Sequence, residues 1–185
     1  DYAIIPDLIF DNYIYIFEGC LSNEGELCLT FKTYLSTFFF CFFTWLITLV
    51  LGFCVAYFLA FYVNSIPLQV CLFLVCTIPF WTSNVIRMVS WIPLLGRNGL
   101  VNEFFLSLGI IDQPIEWLLY SSFSVILALV HLYTLFMIVP IFNSMIRIDR
   151  SIVEAAYDAG ASHRQIIFNI IIPLSKTGII IGSIF

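Results

Sequence analysis

The sequence predicts an all-α integral membrane protein, a bundle of apolar helices, and three observations carry that prediction. The chain of 185 residues is 62% hydrophobic and 10% charged, whereas a soluble domain is about half apolar and about a quarter charged. So little charge cannot cover so much apolar side chain in water. The apolar residues gather into runs such as 34–63 and 118–142, long enough for a helix to cross a hydrocarbon core of about 30 Å. The mean hydropathy, +1.05, agrees.

Taken in order, residues 1–33 mix Asp7, Asp11, Glu18, Glu24 and Glu26 with aromatic residues and predict an ordered loop segment. The domain proper is 34–185, starting with a first span over 34–63. After the tight turn VNSIP, a second span covers about 67–93; its apolar part ends near Trp81, where Thr82, Ser83, Asn84 and Arg87 intrude. Next, Leu100, Val101, Phe104, Phe105 and Leu108 recur at helical spacing, which predicts a short helix lying at the membrane interface. A third span covers about 118–146, and Pro140 within it is expected to kink the helix. A fourth begins at Pro173 and is cut off at Phe185. With Asp1 as first residue, the chain reads as a fragment.

Lys and Arg near the span ends set the orientation. Arg147, Arg150, Arg164 and Lys176 cluster between the third and fourth spans, against Lys32 and Arg97 on the other side. Loop 147–172 is therefore expected in the cytoplasm and residues 1–33 outside it, in a multi-pass protein of a bacterial-type plasma (inner) membrane.

Several classes are excluded. A pI near 4.7 argues against nucleic acid, which needs a basic face. Of the cysteines, Cys41, Cys54, Cys71 and Cys76 lie in apolar runs, where a thiol behaves as a small hydrophobe. No C-x-x-C and no histidine at ligand spacing predict a metal site. Cys20 and Cys28 share a polar segment; a disulfide and two free thiols both remain open. The chain has no phosphate-binding glycine motif and no nucleophile–base set on one side of the membrane, so it is not expected to be an enzyme or to hold a cofactor.

The most informative stretch is SIVEAAYDAGASHR, residues 151–164. Ser151 precedes Glu154 by three residues and Ser162 precedes Gln165 by three, the spacing of two capping boxes. Gly160 between them suits the left-handed conformation that ends a helix. The expectation is a helix over about 152–159, a glycine turn, and a second helix from His163 that stops near Pro173. The first is too short to stand alone in water. Ala155, Ala156 and Ala159 leave a smooth face, while Glu154 and Asp158, at i and i+4, form a like-charged edge that suits a basic partner. Taken singly, each residue is explained as a cap, a terminator or a helix former; together, in a loop of a multi-span protein, they predict a docking knob.

The same stretch resembles the signature of ABC importer membrane subunits: Glu-Ala-Ala, three residues, Gly, nine residues, Ile-x-Leu-Pro. Here the residues are Glu154, Ala155, Ala156, Gly160, Ile170 and Pro173, with Ile172 in place of the usual Leu, a volume-conserving change. IPFWTSNVIR and LGRNGLVNEFFLSLGIID are similar to the B-type permease subunits of spermidine/putrescine importers. The resemblance runs from about residue 30 to the end and implies the helix bundle of a type I ABC importer transmembrane domain. It implies a loop 147–172 whose coupling helix, with Asp158 on its edge, seats on a cytoplasmic ABC ATPase dimer that carries the ATP and Mg. It further implies a second homologous permease subunit, an extracytoplasmic substrate-binding protein, and polyamine as the solute, with an ABC importer for another small solute as the alternative.

For the translocation path, Trp81, Asn84, Arg87, Trp91 and His131 are candidates. Two readings of Arg87 stand: a gate latch within the membrane, or a side chain snorkelling to outer headgroups. Trp81 and Trp91 are placed to face an ammonium through cation–π contact, or to anchor the interface. His131 reads as a neutral ring hydrogen-bonded within the bundle, with a proton relay or a ligand as the alternatives. Glu103, Asp112 and Glu116 either attract a cationic solute, meet a binding protein, or are simply solvated. A channel or secondary transporter is the competing class; it would show a polar pore stripe or a coupling-ion site in broken helices.

Overall fold

A computed structural model describes residues 10, 14, 29–111 and 113–184. The acidic residues of the first segment (Asp7, Asp11, Glu18, Glu24, Glu26), the pair Cys20 and Cys28, and Asp112 lie outside the described residues. Every regular element is helical, and no strand occurs among the described residues.

Helix α1, Leu29–Tyr57, is one apolar run without proline. It passes through the boundary between two compact units, 1–42 and 43–185. In the first unit, Phe38 stacks on Phe42 at 6.4 Å and the Thr37 hydroxyl donates to the Thr33 carbonyl at 2.9 Å. The rest of the fold belongs to the second unit. There α1 widens into a π-helical turn, Phe58–Tyr62, before Val63 turns extended. A widened turn misaligns its carbonyls, and buried Gln69 donates to that of Leu59 at 2.7 Å. Pro67, whose missing N–H costs nothing in a first turn, opens α2, Ile66–Thr77.

The stretch read as one second span is broken. α2 tightens into a 3-10 turn at Ile78–Trp81 and stops at Thr82; α3 (Asn84–Val89), α4 (Trp91–Leu95) and α5 (Leu100–Ser107) follow. The arm Ile66–Trp81 and the arm Asn84–Ser107 are bent by 90°. Arg87 explains how the break is tolerated. Its buried guanidinium donates to the carbonyl of Pro79, and to that of Thr82 at 3.2 Å, groups set free where the helix ends. Asn102, fully buried, knits the loop beyond: it donates to the Gly96 and Ile115 carbonyls at 3.0 and 3.1 Å and accepts from the Ile115 N–H at 2.9 Å. Leu100, Phe104 and Leu108 remain exposed on the opposite side of α5 and its cap.

Helix α6, Ser122–Met145, contains Pro140 without interruption. It is followed by α7, Arg150–Asp158, and α8, His163–Ile166; a π-helical turn, Ile167–Ile171, then leads into α9, Ile172–Ile184. The helix does not stop at Pro173. Proline removes one i→i−4 bond and its ring collides with the preceding turn. The π-helical turn relieves this: the Ile172 N–H donates to Ile167, five residues back. His163–Ile184 is thus one helix of 22 residues, long and apolar enough to cross a membrane, as are Thr30–Tyr62 and Ser122–Met145.

α9 packs along α6 through glycines. A Cβ at Gly178 would lie 2.6 Å from Ser144 Cβ and closer still to the Pro140 carbonyl; one at Gly182 would lie 2.8 Å from Met137 Sδ. With buried Ser175, they form the small-residue stripe that lets membrane helices approach closely. The apolar core collects where α1 ends: Ala56, Leu59, Ala60 and Val63 pack with Met137, Ile141, Met145, Ile166 and Ile171. That core is the floor beneath α7.

Candidate functional site

α7 has nine residues and none of them is buried. Only Val153 and Ala156 are half-buried against the core; Ser151, Ile152, Glu154, Ala155, Tyr157, Asp158 and Ala159 are exposed. A helix this short is marginal in isolation, so its ends must hold it. At the N-terminus the cap is Asp149, whose carboxylate accepts from the Ser151 N–H at 3.0 Å. This corrects the expectation that Ser151 caps: Asp149, two positions earlier and an equally good capping residue, takes the cap, which leaves Ser151 inside the helix. The hydrogen bonds from Ser151 hold the Asp149 carboxyl below the usual carboxylate range.

At the C-terminus Gly160 has φ +80°. Its N–H donates to Tyr157 at 2.9 Å and that of Ala161 to Ala156 at 3.0 Å, the pair of bonds of a Schellman motif. A reciprocal box then opens α8: the Ser162 N–H donates to Gln165 Oε1 at 2.8 Å, and the Gln165 N–H lies 3.5 Å from Ser162 Oγ.

Of the alanines, Ala155 and Ala159 face outward and Ala156 inward, so the smooth face is split. Glu154 and Asp158 are exposed and take no partner among the described residues. Ile170 is half-buried and lines a recess of about 340 Å³ with Ala159, Gly160, Ala161, Gln165 and Asn169. Pro173 lies exposed, at the start of α9. The surface so built is small and acidic on α7, with a dimple at the glycine turn. It suits a rigid partner that offers a complementary groove and basic groups.

Two contacts escaped sequence reasoning because they join residues about ninety to a hundred positions apart. Arg150 donates to Asn64 Oδ1 at 2.6 Å and to the Ala60 and Val63 carbonyls at 3.2 and 3.3 Å. These bonds put the VNSIP turn and the basic loop at one end of the molecule. His163 lies between two tyrosines, with Nδ1 2.7 Å from the Tyr157 hydroxyl and Nε2 3.4 Å from that of Tyr57.

The path candidates do not form one site. Trp81 and Asn84 are exposed, and Trp81 meets no described aromatic ring. Arg87 is turned inward to the break, not outward to headgroups. Trp91 and His131 do meet, edge to face at 5.5 Å, but His131 takes no hydrogen bond among the described residues, against the expectation. Glu116 pairs with Arg97 at 3.1 Å in an exposed ion pair, whereas Glu103 sits in the first turn of α5. No group of metal-ligating side chains occurs among the described residues.

No family model matches the chain. It is, however, 41% identical over 137 residues to the spermidine/putrescine transport system permease protein PotB of Escherichia coli (strain K12), covering 74% of this chain and 48% of that protein. PotB of Haemophilus influenzae is 39% identical over 113 residues, 61% of this chain and 39% of that protein. The inner membrane ABC transporter permease protein YdcU of Escherichia coli (strain K12) is 26% identical over 148 residues, covering 74% of this chain and 46% of that protein. The chain thus spans about half the length, or less, of the curated relatives it matches.

Proposed function

Because the chain is kin to the permease proteins of ABC-type transport systems, we infer that it is part of the membrane-spanning permease subunit of an ATP-driven importer, seated in the inner membrane. Its solute is a polyamine, spermidine or putrescine, the class named for its PotB relatives. α7 is the element through which a cytoplasmic ATPase dimer drives the spans. ATP and Mg belong to that partner. A second permease subunit completes the bundle, and a soluble binding protein delivers the solute to the opposite face.

The observation that carries this reading is α7 itself. A nine-residue helix with no buried residue is costly to order, yet it is capped at both ends and tied to α1 by Arg150. Rigid exposure of an acidic, small-residue edge is what docking requires. When the ATPases close, α7 is displaced as a body and the spans rock between inward-open and outward-open arrangements.

Uptake of labelled spermidine and putrescine by cells relying on the full-length subunit tests this. Gly160→Pro cannot adopt a positive φ and abolishes uptake while the subunit still inserts. Gly160→Asn, tolerated in the left-handed region, keeps most of it; a Cβ there meets nothing within 4 Å. Unchanged uptake in Gly160→Pro contradicts the docking role. Loss of neither polyamine's uptake on deleting the subunit contradicts the solute.

A further inference from the structure

We propose that Arg150 and His163 form a two-point latch that binds α7 to the end of α1, so that displacement of α7 is passed directly to the first membrane helix. The proposal rests on the reading of α7 as the ATPase-driven helix.

The first point is electrostatic. Where α1 leaves its π-helical turn, the last carbonyls lack partners within the helix, and the negative end of the helix dipole favours a cation. Arg150, the first residue of α7, supplies one: a single guanidinium reaches Ala60, Val63 and Asn64. Hydrogen bonds from a charged donor are roughly twice as strong as neutral ones.

The second point lies at the other end of α7. Tyr157, seven positions on and thus about 10 Å along the axis, meets His163. The far side of that ring faces Tyr57 of α1, hydroxyl to Nε2 at 3.4 Å and rings edge to face at 6.1 Å. A neutral imidazole donates from one nitrogen and accepts at the other, so one ring can serve both hydroxyls. From Tyr57 the contact continues into Phe53, stacked at 6.3 Å, and Phe61 at 5.2 Å.

One attachment would leave α7 free to pivot; two, about a helix length apart, fix its direction as well. Without them the inner face offers only Val153 and Ala156, both half-buried. Covalent continuity joins α7 to α6 and α8 but not to α1, so beyond the shared apolar core these side chains are the direct polar link from α7 to α1.

The test uses the full-length subunit, with spin labels at exposed Ser65 and Ala159, and the assembled importer in liposomes without labels. The spin-label distance distribution is expected to be narrow in the parent, to broaden in Arg150→Met/His163→Phe, and to narrow again in Arg150→Lys/His163→Gln, which keeps the charge and the two-sided hydrogen bonding. In the assembled importer the solute moved per ATP hydrolysed is expected to fall roughly tenfold in the Met/Phe variant, normalised to the ATPase it recruits, and to recover in the Lys/Gln variant. A merely structural role would lower recruitment, hydrolysis and transport together. An unchanged distance distribution, or unchanged solute per ATP, overturns the latch. If the parent itself recruits no ATPase, the docking reading falls instead, and the spin-label arm still decides whether the latch exists.

Discussion

Asp149 shows how local chemistry sets the shape of the exposed helix. Its carboxylate caps α7 by accepting from the Ser151 N–H, and the same bonds depress its folded pKa. A depressed carboxyl contributes stability above its unfolded pKa, about 3.9, and loses it as pH falls through the folded value. The cap is therefore intact at neutral pH and fails only in acid. Asp149→Ala is expected to speed hydrogen exchange at the amides of 151–154 several-fold at neutral pH, and Asp149→Asn to leave it near parental; equal protection in all three would contradict the cap assignment. The sequence pattern Ser-x-x-Glu at 151–154 matched a capping box as well as Ser-x-x-Gln at 162–165 does, and only the second forms. A spacing rule cannot choose between overlapping caps, and here Asp149, two residues upstream, takes the cap. Arg150 and His163 were less legible still, since their partners lie on α1.

At the scale of elements, apolar run length marks where the long helices of the first and third spans lie, because the bilayer demands it. What run length cannot express is how a helix ends or bends. Thr82, Ser83 and Asn84 were visible as polar intruders, but the 90° break depends on Arg87 reaching back to Pro79 and Thr82. Pro173 looked like a stop and is not one, because the π-helical turn before it absorbs the missing bond. The four-residue spacing of Gly178 and Gly182 is legible in the sequence, but the helix they pack against is not. Gly178→Leu drives a side chain into Pro140 and Ser144. Overpacking of this kind costs about 1–3 kcal/mol, so the thermal midpoint of the detergent-solubilised subunit should fall. Lys176→Leu, on an exposed neighbour, should leave it near parental. An unshifted Gly178→Leu would contradict the α6–α9 packing.

At the scale of the molecule, the apolar core of the second unit gathers under α7. Three helices are long and apolar enough to cross, and the bent pair adds a broken span or a re-entrant loop. The chain covers about half of PotB, and of the path candidates only Trp91 and His131 meet among the described residues. The end that carries α7, by contrast, has its floor, helix, caps and tethers in one piece. The most direct test of the central claim is therefore contact. A photo-crosslinking amino acid placed at exposed Ala155 of the full-length subunit, activated in native membranes, should capture an ABC ATPase, whereas the same probe at exposed Leu100 on α5 should not. Capture of the ATPase from Leu100 but not from Ala155, or only lipid at both positions, would contradict the account.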